Sequence, residues 1–174
     1  MPQTLENTVN NLCQKIKKVS KNTFEQANMN VFINTPSDDF LNVPNGDSLL
    51  KGNGTTFIPV INSAEKITFS NGDITIPATG TYQITYFASF FREDGPNYVN
   101  FQILVDGTPT LPQSRITHNN SDSGIITFNF ITKLSKNNVI RFVANYGQVG
   151  NLELFQWNDG PGGVISSLSI NRIL

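Results

Sequence analysis

The chain of 174 residues has one cysteine, one histidine, one tryptophan and few charges, with only 14% of residues charged and a formal net charge of −1. Each scarcity removes a class of function. A single thiol, Cys13, excludes an internal disulfide and any cysteine-built metal centre. His118 stands in "THNNSDSG" with no second histidine to complete a metal or nucleophile constellation. Near-neutral charge leaves no basic footprint for nucleic acid or an anionic membrane surface. No apolar run approaches the roughly 20 residues of a membrane-spanning helix, so no membrane insertion is expected. "MPQTLENTVNN" lacks a basic segment followed by an apolar one, which disfavours export by the ordinary signal-peptide route. No phosphate-cradling glycine loop or serine elbow occurs, because "NDGPGG" lacks a lysine and a following helix. Asp38–Asp39 and Glu93–Asp94 are adjacent pairs, and neighbours along a strand point to opposite faces, so neither forms an acid/base pair by itself. A loop calcium site from Glu93, Asp94, Asp122 or Asp159 requires distant loops to meet. The expectation is a protein that is not an enzyme, with no cofactor and no metal.

What is present divides the chain at about residue 28. Leu5, Val9, Leu12, Ile16 and Val19 follow heptad spacing, with Leu5, Leu12 and Val19 at d and Val9 and Ile16 at a. The spacing predicts a helix over 4–26. It fits a short coiled coil, and equally an amphipathic helix packed on its own domain. From residue 29 onward, short apolar runs alternate with turn residues. About ten strands are predicted, the pattern of an all-β sandwich or barrel. "NGDSLLKGNG" reads as a flexible connection. Tyr82, Ile84, Tyr86, Ala88 and Phe90 share one face of the longest strand, as Phe128 and Phe130 do on another. Phe87, Phe91, Ile125 and Ile131 interrupt the opposite, polar faces, which requires a second sheet or a neighbouring subunit to cover them.

Between Asn71 and Tyr86 the order is a Gly-bounded turn, Ile74, Ile76-Pro77, Gly80, Tyr82, Ile84 and Tyr86. It is joined by "FIPV" at 57–60, "FQILVDG" at 101–107, the paired runs of 124–146 and "ISSLSINRIL" at 165–174. This order resembles the signature of the complement component 1q and tumour necrosis factor jelly-roll superfamily, over residues 29–174. Two departures stand out. Ser135-Lys136-Asn137-Asn138 replaces the family's frequent Gly-Asp turn, and a heptad helix stands where many relatives carry a collagen-like repeat. The resemblance is closest to a bacterial or bacteriophage relative.

The resemblance implies a jelly-roll head at 29–174 on an N-terminal helical stalk at 1–28, assembled as a homotrimer. Trimer contacts are expected from Leu5, Val9, Leu12, Ile16 and Val19 in the stalk, and from Phe87, Phe91, Ile125 and Ile131 in the head. Recognition would fall on the loops, with Trp157, Asn158, Asp159, Arg92 and Glu93 as candidate ligand residues, Trp157 either stacking on a sugar ring or closing a sheet end. The expected partner is a cell-surface saccharide or protein receptor, with attachment to a larger particle through the N-terminus. The role so implied is a structural and adhesive protein of a virion fibre or spike. A spore-surface protein is the alternative, followed by a secreted trimeric signalling ligand.

Overall fold

Short, turn-punctuated strands cannot bury their apolar faces singly, and here they stack as two sheets. The computed structural model describes residues 3–23, 27–34, 40–93, 98–117, 122–146, 151–155 and 164–174. One helix, α1 (Gln3–Thr23), precedes twelve strands. They are β1 (Asn28–Asn34), β2 (Leu41–Val43), β3 (Val60–Glu65), β4 (Thr68–Ser70), β5 (Asp73–Thr75), β6 (Gly80–Glu93), β7 (Tyr98–Val105), β8 (Thr108–Thr117), β9 (Asp122–Leu134), β10 (Val139–Asn145), β11 (Asn151–Leu154) and β12 (Val164–Arg172). All pairings are antiparallel within a five-stranded sheet, β4-β5-β10-β7-β8, and a seven-stranded one, β2-β11-β6-β12-β1-β3 with β9 also on β6. Register gives the arrangement around β6. β12 takes Tyr82 to Ala88 and β11 takes Phe90 to Glu93 along one edge, while β9 covers Gly80 to Arg92 on the other. The expected jelly-roll sandwich is thus present, with two more strands than the apolar runs predict.

The alternation on β6 is borne out: Tyr82, Ile84, Tyr86, Ala88 and Phe90 are all buried. They meet Phe101, Ile103, Ile140 and Phe142 of the five-stranded sheet across the core. Tyr86 stacks on Phe142 with ring centroids 4.4 Å apart, and Phe90 tilts against Phe101 at 5.2 Å. "NGDSLLKGNG" is not the flexible connection it resembles. Ser48 bridges Val143, and Leu49 and Leu50 are buried. Leu49 donates its N–H to the carbonyl of Phe142 at 2.8 Å, so the segment extends the five-stranded sheet beside β10. Its polar composition hides two apolar anchors, which is why periodicity overlooks it.

Turn chemistry accounts for the hairpins. Asn71-Gly72 and Asp106-Gly107 both have positive φ at each residue, the backbone that matches strand twist. The Pro77-x-x-Gly80-x-Tyr82 element is closed by the Tyr82 hydroxyl, which donates to the carbonyl of Ala78 at 2.7 Å. Gly80 has no positive φ; its reason is space. A β-carbon there would run into the backbone oxygen of Leu174 and lie 2.5 Å from Nε of Arg172. Gly80→Ala is therefore expected to cost about 1–3 kcal/mol, as for an overpacked core site. Chemical denaturation checks this, and an unchanged midpoint would show that the C-terminus simply moves aside.

The register also sorts the chain ends. Glu93 pairs with Asn151, Arg92 with Asp122, and Tyr98 with Thr117, so the strand ends that border residues 94–97, 118–121 and 147–150 share one end of the sandwich. At the other end Arg172 donates its N–H to Ala27, just after the helix, and Thr81 donates to Leu174.

Candidate interaction surface

The seven-stranded sheet turns one face to the core and the other outward. Along one outward rung lie Val60, Phe32, Ser167, Phe87 and Thr127, on five adjacent strands. The next rung toward the helix holds Asn30, Ser169, Thr85 and Asn129, where the Thr85 hydroxyl donates to Oδ1 of Asn129 at 3.4 Å. Ile125 and Ile131 on β9 are 59% and 62% exposed, while Phe87 and Phe91 are half-buried. No second sheet lies over these four among the described residues. They do not form a continuous apolar patch, because Thr127 and Asn129 separate Ile125 from Ile131 along β9, and Ser89 separates Phe87 from Phe91 along β6. The mixture of apolar and hydrogen-bonding groups is like the make-up of subunit contacts other than the most obligate ones.

One aromatic group was not anticipated. Phe40, Phe91 and Phe155 come together at ring separations of 6.0, 5.7 and 5.8 Å, with Phe40 49% exposed. They stand where β2, β11 and β6 run side by side. No local pattern announces the group, since Phe40 precedes a three-residue strand and Phe155 follows a four-residue one.

The stalk candidates are on α1. Leu5, Val9, Leu12 and Ile16 are between 54% and 76% exposed, and every described side chain from Leu5 to Lys17 faces outward from the chain's own fold. Among the described side chains of α1, none is buried against the rest of the chain. Val19 lies in the helix, with its side chain outside the described set.

Among the ligand candidates, Arg92 and Glu93 close β6, opposite Leu152 and Asn151 of β11, and their side chains are outside the described set. Trp157, Asn158 and Asp159 lie outside the described residues, as do Asp38, Asp39, Asp94 and His118. Among the described residues, no three His, Cys, Asp or Glu are grouped to hold a metal, and no helix is long and apolar enough to cross a membrane.

Charge on the five-stranded sheet is concentrated beside β10. Arg141 clamps Asp73 with two parallel bonds, Nε to Oδ1 at 2.5 Å and Nη2 to Oδ2 at 2.7 Å. The hydrogen bond to Asp73 raises the Arg141 guanidinium further above its ordinary value, against partial burial. Asp47 is partly buried, which by itself would raise its carboxyl. The Lys51 ammonium at 2.7 Å, the Ser48 N–H and the charge of Arg141 outweigh that and hold it below the usual carboxylate range.

Comparison with known proteins agrees with this architecture. No protein-family model matches the sequence, and no curated protein matches it. Among solved structures, the chain is similar to the globular domain of zebrafish complement 1qA protein, with 10% identity, a TM-score of 0.55, and coverage of 85% of this chain and 98% of that one. It is also similar to Eiger TNF from S. frugiperda, with 12% identity, a TM-score of 0.56, and coverage of 86% and 93%. At these identities the likeness is one of backbone architecture, and it establishes that the chain folds as a jelly roll of the complement 1q and tumour necrosis factor type.

Proposed function

We propose that this chain is a non-enzymatic structural and adhesive surface protein, a homotrimeric jelly-roll head (29–174) on a short parallel coiled-coil stalk (1–28), serving as a bacteriophage virion fibre or spike that binds a host surface. The observation that carries the reading is the stalk: four heptad residues, Leu5, Val9, Leu12 and Ile16, are exposed in the single chain. An apolar seam left uncovered by its own fold calls for partner helices. β-branched residues at a with leucine at d favour two strands in isolated coiled coils, but the stalk has fewer than three heptads and its preference is weak beside that of the head. The head's fold supports three-fold assembly through the outer face of the seven-stranded sheet. Phe87, Phe91, Ile125 and Ile131 supply its apolar contacts, around the hydrogen-bonding rung of Thr85 and Asn129. Strand ends at the opposite extremity from the helix, those of Arg92 and Glu93 among them, would then face a receptor.

Light scattering on the intact chain tests the assembly. A trimeric mass is expected, and it should persist in the double variant Leu12→Asp/Ile16→Asp, whose stalks separate while the heads stay joined. A dimeric mass for the intact chain overturns the trimer, and a monomeric mass for the variant makes the stalk the organiser. Capsid and tail genes beside the coding sequence would support the virion reading, whereas sporulation genes would move the protein to a spore coat.

A further inference from the structure

The outer face of the five-stranded sheet carries a cleft of about 270 Å³, lined by Asp73, Leu104, Asp106, Gly107, Val139 and Arg141. The register explains why these six meet. Arg141 stands beside Leu104 on one side and next to the Asp73 position on the other. Because Ile140, Ile74 and Ile103 point into the core, their neighbours Arg141, Val139, Asp73 and Leu104 point out. The Asp106-Gly107 turn forms the rim.

We propose that this cleft is a binding site for a single neutral sugar ring. Its charged groups are held in place before any ligand arrives. Asp73 is fixed by the fork of Arg141, and Asp106 accepts from Nδ2 of Asn138 at 2.7 Å and from the Val139 N–H at 2.8 Å. That clamp uses two of the five N–H donors of Arg141, and each carboxylate oxygen has a second lone pair to offer. The cleft therefore holds one guanidinium donor group and two carboxylate acceptors. A vicinal diol suits that set, since a hydroxyl can donate to a carboxylate while accepting from the guanidinium, and bonds to charged partners are the stronger kind.

Leu104 and Val139, both half-buried, give the floor an apolar strip for the C–H face of a ring. Two carboxylates against one guanidinium leave the lining with net negative charge, which disfavours phosphate, sulfate and acidic sugars. The volume is below the usual range for drug-sized ligands, so one ring fits and a buried oligomer does not. The site is on the other sheet from the assembly face and away from the strand ends that border the expected recognition loops. Its test is therefore separate from the mass measurements, and either can fail alone.

Saturation-transfer NMR on the intact protein decides it, using methyl glycosides of glucose, galactose, mannose and N-acetylglucosamine, with N-acetylneuraminic acid as the anionic comparison. At least one neutral glycoside should receive saturation. Asp106→Ala should weaken its binding roughly tenfold or more, as loss of a charged hydrogen-bonding partner does, and Leu104→Arg, which fills the cleft while leaving the turn's hydrogen bonds in place, should weaken it at least as much by occupying the ring's place. Should Asp106→Ala unfold the turn, Leu104→Arg alone decides. No transfer to any of the four, undiminished affinity in the variants, or equal binding of N-acetylneuraminic acid overturns the proposal.

Discussion

Tyr86→Ala is expected to remove about 3–5 kcal/mol of stability, as truncation of a fully buried aromatic does, and so a large part of the roughly 5–15 kcal/mol that holds a domain together. Tyr86 has no exposed surface and stands on β6, the strand to which β9, β11 and β12 all pair. Its ring joins the sheets by stacking on Phe142 at 4.4 Å, and it also stacks beside Phe128 at 6.3 Å. Its hydroxyl shares a 3.2 Å hydrogen bond with Ser166, itself fully buried. Burial drives the phenol far above its ordinary value and so favours its neutral form. Alanine leaves a cavity and strands the Ser166 hydroxyl. Tyr86→Phe keeps the ring and loses only the bond, at about 1–3 kcal/mol for a buried hydroxyl left unpartnered. Urea denaturation at constant slope separates the two. Equal losses in both variants would mean that the bond to Ser166 on the neighbouring strand of the same sheet, not the ring's contact with Phe142 across the core, carries the contribution of Tyr86.

The second large effect concerns association. In a chain shortened to begin at Met29, Phe87→Asp is expected to convert a trimer to monomers while leaving the unfolding midpoint of the monomer almost unchanged. Phe87 points outward between Ser167 and Thr127 and is half-buried within its own chain. Substitutions at such positions are worth about half a kcal/mol in a monomer. If three copies meet on this face, the same substitution buries an unpaired carboxylate at each contact, which costs several kcal/mol. The asymmetry between association and monomer stability is the signature of an interface residue. A trimeric mass for the shortened variant would remove the outer face of the seven-stranded sheet from the assembly. An unfolded shortened chain would place the domain boundary elsewhere.

Several features were legible from spacing because their causes are local. The period of two on β6 separates Tyr82, Ile84, Tyr86, Ala88 and Phe90 from their neighbours whatever the rest of the chain does. Asn71-Gly72 and Asp106-Gly107 declare hairpins because few other residues adopt their backbone. The heptad of α1 is likewise a property of a few turns of helix. Even so, local reading misjudged residues 45–54, where Leu49 and Leu50 are buried among polar residues because the segment bonds to β10, the middle strand of the five-stranded sheet. The reason for Gly80 is likewise not local, because the atoms that would meet its missing side chain belong to Leu174 and Arg172, more than 90 residues away in the chain.

The sequence by itself determined the kind of architecture: a β-rich head with an amphipathic helix before it, turns at defined residues, and one apolar face per strand. Only the tertiary structure decided which faces are left uncovered and which distant residues become neighbours. Arg141 reaches Asp73 across 68 residues of chain, and Phe40, Phe91 and Phe155 meet because β2, β11 and β6 pair. The helix seam is uncovered because the head closes its core without it. The physical reason is that alternation and turn propensity act over a few residues, whereas strand order and register come from burying all the apolar faces together, a condition no single segment can express.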